Sequence, residues 1–199
     1  MKMLDIVGID EVGRGPIAGP VAVCSFRCKP DFFESLNIKT PLRDSKKLSK
    51  KQREEWFVYL KKAKGEGVCD YSVSFVSAES IDKFGIVPAI KKALKVSLEK
   101  VASTPDEVFV YLDGGLEAPD EFTNQETTIK GDELYPVISC ASIIAKVSRD
   151  TIMTIHAKEY PDYGFEKHVG YGTKAHYEAI KTHGVTPLHR KSFLTSYNS

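Results

Sequence analysis

The chain has 199 residues, with 28 Lys+Arg against 27 Asp+Glu. That length buries one good core and is short for two. Its 42% hydrophobic and 28% charged residues exclude a disordered chain, a collagen-like chain and a disulfide scaffold. No apolar run approaches the roughly 18–20 residues that span a bilayer. The N-terminus reaches Asp5 too early for a signal peptide. Cys24, Cys28, Cys69 and Cys140 form no CxxC pair and have no His at finger spacing. They are expected as buried free thiols of a cytoplasmic protein, not as a zinc site. The net charge of +1 disfavours a DNA-coating protein, yet it arises by cancellation. Residues 39–64 carry a local +7 and residues 102–133 a local −8.

Residues 3–10 read as a buried strand, followed by a Gly/Pro-dense loop over 13–20. Residues 21–26 resume β character, so the first two strands should pair as neighbours. Ser49 and Gln52 form a capping box for a helix over 50–64 with Trp56 and Leu60 on one face. Residues 69–76 read as a strand. A helix over 88–101 carries the apolar stripe Ile90, Leu94 and Leu98. Strands are expected over 107–112 and 127–130. The longest helix spans about 135–160, and its small, apolar first half should be buried. The tail 164–199 combines loops with a short helix over 174–182. Strands alternating with helices after an opening hairpin predict a mixed α/β sheet with helices packed on it.

Several residues on this frame could carry chemistry. Asp10 and Glu11 are adjacent on a strand, so their side chains should face opposite ways. One then faces the core at a cost that a bend or a metal ion would relieve; two solvated acids at a strand end is the plainer alternative. Asp113 ends the run VFVYL before two glycines, where open α/β sheets place their sites, and also suits a turn. Asp132 precedes the long helix and equally suits an N-terminal cap. If these four carboxylates converge, they repel one another unless cations lie between them. Oxygen ligands of this kind suit Mg²⁺ or Mn²⁺ better than zinc. A pair of such ions can activate water and stabilise a leaving oxygen in phosphodiester cleavage.

Gly13-Arg14-Gly15 can bring backbone groups close to a sugar hydroxyl or phosphate, or simply form a tight turn. The stretch 44–49 opens a basic helix whose lysines can meet phosphates. Ser142, Lys146 and Arg149 share a helix face and could line a phosphate path, while Arg149-Asp150 could instead be a structural ion pair. Tyr171, between two glycines, can present its ring to a base or sugar. His168, His176, His183 and His189 lack a zinc pattern and read as loop and surface residues near phosphates.

The segments GIDEVGRGPIAGPVAV (8–23), DSKKLS (44–49), YLDGG (111–115), KGDELYPVISCASIIAKVSRD (130–150), GYGTKAH (170–176) and GVTPLHRKSF (184–193) resemble, in order, the motif series of the type 2 ribonucleases H. The similarity is closest to the ribonuclease HII family and covers residues about 5–193. The GRG segment and the short lead into the first strand favour HII over HIII.

The resemblance implies a ribonuclease H-like mixed sheet flanked by helices. It implies a catalytic domain over 1–163 and a small helical part over 164–199 packed on it. It implies endonucleolytic hydrolysis of RNA in RNA–DNA hybrids and cleavage 5′ of single ribonucleotides in duplex DNA. By the same resemblance Asp10, Glu11, Asp113 and Asp132 bind two divalent ions, Mg²⁺ or Mn²⁺. Gly13, Arg14 and Gly15 read the ribose 2′-OH, Tyr171 stacks on the next sugar, and Lys47, Ser142 and Lys146 contact phosphates. Val169 stands where the family often has Lys, which removes one phosphate contact. The end SFLTSYNS shows no sliding-clamp motif, and a monomer without membrane contact is expected. The rival readings are a non-catalytic nucleic-acid-binding module and a nuclease for branched DNA. With two ions bound, the net charge of the chain rises to about +5.

Overall fold

The computed structural model describes residues 3–194. Five strands form one mixed sheet: β1 (Asp5–Val12), β2 (Val21–Cys28), β3 (Cys69–Val76), β4 (Val108–Asp113) and β5 (Gln125–Thr128). The spatial order is β3-β2-β1-β4-β5, with β1 central. The first three strands pair antiparallel, and β1-β4 and β4-β5 are parallel. The expected opening pair is therefore present. β1 runs two residues past its expected end, and β5 lies two residues earlier than expected.

The alternation along β1 separates two cores. Val7 and Ile9 face α3 (Ile86–Val101), whose Ile90, Leu94 and Leu98 form the expected apolar stripe. Ser25 on β2 and Ser97 on α3 bury their hydroxyls on this face by bonding each other at 2.8 Å. The opposite face packs α1 (Lys50–Gly65), through Trp56 and Leu60, and α5 (Pro136–Glu159). The Ser49–Gln52 capping box opens α1 as the sequence predicts. All residues from Val137 to Ala145 in α5 are buried, again as its small and apolar sequence predicts.

Gly8 explains how α5 sits so close. A Cβ at Gly8 would meet the Val137 carbonyl carbon and oxygen, each at 2.3 Å. The start of α5 thus rests on bare backbone of β1, two residues before Asp10.

A third apolar cluster joins the loop after β1 to the tail. Ile17 and Ala18 pack with Met153 of α5 and with Tyr163, Phe165 and Ile180. The tail holds two helices, α6 (Phe165–His168) and α7 (Lys174–His183), the second close to its expected span. Two other short helices complete the frame, α2 (Ala78–Phe84) and α4 (Gly131–Leu134). The four cysteines are buried and free. Among the described residues, no helix is long and apolar enough to cross a membrane. Residues 195–199, most of the stretch read as lacking a clamp motif, lie outside the described residues.

Replacing Gly8 by Ala should force α5 off the sheet. The expected cost is about 2–3 kcal/mol, seen as a fall in melting temperature of roughly 5–10 °C. An unchanged melting temperature would show that α5 does not depend on this contact.

Candidate active site

The site begins at the C-terminal ends of two parallel strands. Ile9 pairs beside Leu112, so Asp10 and Asp113 follow as neighbours on β1 and β4. Asp10 lies on the α5 side and is buried, and its Oδ1 accepts the Glu11 amide at 2.7 Å. Glu11 keeps its side chain 17% exposed and pairs with Arg14 at 3.7 Å. β1 does not bend at this pair; it continues to Val12, so burial of Asp10 is not relieved by the backbone.

Asp113 Oδ1 accepts the Gly131 amide at 2.7 Å. This bond anchors α4, whose second residue is Asp132. Asp132 is buried and makes no cap for its helix. Lys130, in the left-handed region at φ 59°, turns the chain into α4. Ser139 of α5 donates to the Asp132 carbonyl at 2.6 Å and ties α4 to the long helix.

These four carboxylates form one electrostatic neighbourhood. Burial raises the Asp10 pKa to about 8, a hydrogen bond from Ser142 opposes this, and the charges of Glu11, Asp113 and Asp132 add to it. Burial also raises Glu11, with Arg14 opposing and Asp113 adding. Burial, followed by Asp44 and Asp113, raises Asp132 to about 6.

Two members of the site were not singled out in the sequence. Asp44 is buried, caps the short 3-10 helix Ser45–Lys47, and hydrogen-bonds Asp132. Burial lowers the pKa of Lys46, but the charges of Asp10, Asp44, Asp132 and Asp113 outweigh it and raise the ammonium group above its usual value. Lys46 is therefore a cation that faces the acids, in addition to the Arg14 paired with Glu11. Asp44 and Lys46 both lie within DSKK, where the resemblance carried a phosphate contact over to Lys47 alone.

The three residues expected to contact phosphate, Lys47, Ser142 and Lys146, all have partners within the fold. Lys47 is paired with Glu133 at 2.7 Å. Ser142 is 2% exposed, bonds Ser45 Oγ at 2.8 Å and holds Asp10, so it positions a carboxylate instead of facing solvent. Lys146, not Arg149, pairs with Asp150, at 2.9 Å. Lys146 still borders a groove beside Val169 in which Lys50, Arg53, Lys158 and Lys167 outnumber the acids Glu54, Asp150 and Glu166. Val169 itself sits in the left-handed region at φ 44°, an unusual place for a β-branched residue.

Of the four tail histidines, His183 is exposed as expected, whereas His176 and His189 depart from the surface role. His176 and His189 are buried and bond each other through their Nε2 atoms at 3.1 Å. His168 stacks on His176 with ring centres 4.4 Å apart. Their place is behind the Tyr171 loop. Tyr171 is 44% exposed, so its ring is available. Gly170 O accepts the Ile17 and Ala18 amides, which places the Tyr171 loop against the loop that carries Gly13, Arg14 and Gly15.

The donor set at the four acids is all oxygen, which suits Mg²⁺ or Mn²⁺ and not the thiol and imidazole preference of zinc. Among the described residues, no group of three or more His, Cys, Asp or Glu is gathered tightly enough to hold an ion by itself. The acids shift one another's pKa without closing on a shared point. Mg²⁺ suits such a site, because it takes one or two carboxylates and fills its other positions with water and substrate phosphate.

The raised Asp10 carboxyl has a consequence for stability. Its folded pKa of about 8 lies above the ordinary 3.8, so folding favours the proton. That contribution is complete below the ordinary value and is lost as pH rises through about 8. In EDTA, Asp10→Asn should therefore be more stable than the parent at pH 8, by about 2 kcal/mol or roughly 4–8 °C. The gap should shrink towards pH 5. Melting curves across that range test it, and a pH-independent gap would refute it.

Comparison with known proteins points to one family. The family model described as Ribonuclease HII matches residues 7–196. The ribonuclease HII of Clostridioides difficile (strain 630) is 44% identical over 192 residues, covering 96% of this chain and 70% of that protein. The solved ribonuclease H2 of Pyrococcus horikoshii OT3 superposes with a TM-score of 0.75 at 27% identity, covering 98% of this chain and 96% of that one. The ribonuclease HII in a PCNA complex from Archaeoglobus fulgidus gives 0.72 at 27% identity, covering 94% of each chain. The motif order, the mixed sheet and these matches lead to one assignment: the chain belongs to the ribonuclease HII family, a family of endoribonucleases.

Proposed function

We propose that the chain hydrolyses the RNA strand of RNA–DNA hybrids and cuts on the 5′ side of single ribonucleotides embedded in duplex DNA. The products carry a 5′-phosphate and a 3′-hydroxyl. The observation that carries this reading is the acidic neighbourhood of Asp10, Glu11, Asp113 and Asp132, set beside an exposed glycine-flanked loop and an exposed tyrosine. The reading places the protein, as a monomer in the cytoplasm, in ribonucleotide and primer removal. The Archaeoglobus relative was solved with PCNA, but no clamp contact is proposed for this chain.

Asp10, Glu11, Asp113 and Asp132 would hold two divalent ions, Mg²⁺ or Mn²⁺. When bound, such ions supply a water of lowered pKa and stabilise charge on the departing 3′ oxygen. Ser142 keeps Asp10 oriented from the α5 side. The Gly131 amide fixes Asp113 at 2.7 Å. Lys46 keeps positive charge at the rim, where a phosphate approaches. Arg14 and the glycines beside it meet the ribose 2′-OH, the group that tells RNA from DNA. That hydroxyl is a recognition handle and not the nucleophile. Tyr171 stacks on the sugar of the following deoxynucleotide. Lys146 and its groove neighbours follow the phosphate backbone, and Val169 leaves that task to them.

A duplex carrying one ribonucleotide, an all-DNA duplex and a branched all-DNA substrate test the reading in Mg²⁺, Mn²⁺ or EDTA. Cutting of the first alone, abolished by EDTA, is expected. Binding without a product would favour the non-catalytic module, and cutting of branched DNA the other nuclease. Asp113→Asn should lower kcat by about 10²–10³-fold while binding is kept; near-normal turnover in Mg²⁺ would remove Asp113 from the site. Tyr171→Ala should cost about tenfold on a single ribonucleotide and less on a long hybrid. Equal losses on both substrates would count against junction reading.

A further inference from the structure

Arg149 and Arg190 are fully buried, and the side-chain hydrogen bonds of both run to backbone carbonyls. Burying a guanidinium against neutral partners is costly. What the Arg190 side chain does there is orient peptide groups. Its Nη2 donates to Gly13 O at 2.6 Å, its Nη1 to Arg14 O at 3.0 Å and its Nε to Gly19 O at 3.0 Å. A trans peptide holds C=O and the next N–H in opposite directions. With the Gly13 and Arg14 carbonyls drawn inward, the Arg14 and Gly15 amides point outward. Gly15 has open space on its Cβ side, so that face is free for a sugar.

The preceding residue reaches the other loop. The Thr186 amide donates to His189 Nδ1 at 2.8 Å, which leaves the His189 proton on Nε2. That proton is donated to His176 Nε2 at 3.1 Å. His176 must then carry its own proton on Nδ1, donated to Tyr171 O at 2.9 Å. One backbone amide thus fixes both tautomers in sequence. Burial lowers the pKa of both rings, that of His176 to about 4, so the relay is neutral at working pH. The dipeptide backbone is itself tied down, with Arg190 N donating to Ile17 O at 2.8 Å and His189 bridging to Ala18.

We propose that His189-Arg190 is the positioning element that locks the Gly13-Arg14-Gly15 loop and the Tyr171 loop at one separation, making the reading of two adjacent sugars a single coupled event. This rests on the reading above that those loops meet the ribose and the following sugar. Neither residue of the dipeptide touches substrate in this scheme. The effect is on selectivity, through loops that Arg190 and His189 hold from opposite sides of one chain segment.

The test compares kcat/KM on a single-ribonucleotide duplex and on a long hybrid. Arg190→Lys keeps the charge and loses the three-carbonyl fork. It should lower the ratio of the two kcat/KM values about tenfold, and by less than about twofold when Tyr171→Ala is already present. An unchanged ratio, equal losses on both substrates, or the same loss with and without Tyr171 overturns the coupling.

If melting curves show Arg190→Lys unfolded, His189→Gln and His189→Phe decide. Gln can still donate to His176 and should keep the ratio within about threefold, whereas Phe cannot and should lose it. Equal ratios for Gln and Phe overturn the proposal. A parent protein that leaves the single-ribonucleotide duplex intact in Mg²⁺ and Mn²⁺ overturns the underlying reading and the coupling with it. A parent that cuts it beside an indifferent Arg190→Lys overturns the coupling alone.

Discussion

The contact between Gly8 and the first turn of α5 is the constraint from which the site follows. With no side chain at Gly8, the Val137 carbonyl lies against the β1 backbone. That approach sets the height of α5 over the sheet. It brings Ser142 to Asp10, and Ser139 to the Asp132 carbonyl. The same helix, further along, places Arg149 under the Ala18, Pro20 and Val169 carbonyls. One packing choice on the central strand therefore arranges acids at one end of α5 and the loops that carry Ala18, Pro20 and Val169 at its middle.

The acids are held against their electrostatic preference. Asp10 is buried on a strand that does not bend to release it, and its neighbours repel it. A hydrophobic residue at that position would suit folding better. The frame tolerates the buried acid because two apolar cores, one on each face of the sheet, carry the stability, and because the carboxyl keeps its proton until the pH nears about 8. Lys46 partly offsets the repulsion from outside. The site is thus strained electrostatically and stiff mechanically, a combination that favours an incoming cation over a rearranged backbone.

Much of this was legible in the sequence, and for identifiable reasons. The capping box at Ser49 and the stripe Ile90, Leu94 and Leu98 are local patterns, and both are realised. Asp113 was visible because it ends an apolar strand beside glycines. The roles of Ser142, Arg149 and the histidines were not visible. Their partners lie far along the chain: Ser45 is 97 residues from Ser142, and Pro20 is 129 from Arg149. Helical spacing placed Ser142, Lys146 and Arg149 on one face, but not what that face meets. The charge run over 39–64 took the lysines of 44–49 together and the family resemblance carried over Lys47 alone, because only the fold shows which of two adjacent lysines turns to the acids.

The Arg190–Gly13 bond spans 177 residues. Loops of that size close late, since their entropy is lost before any contact repays it. The sheet can set Asp10 beside Asp113 without residues 188–190. The outward-facing amides of the Gly13 loop cannot be set without them. By this entropy argument the acids can gather before residues 188–190 fix the Gly13 loop. A chain caught between those two stages would carry its acids in place beside a Gly13 loop not yet held from below.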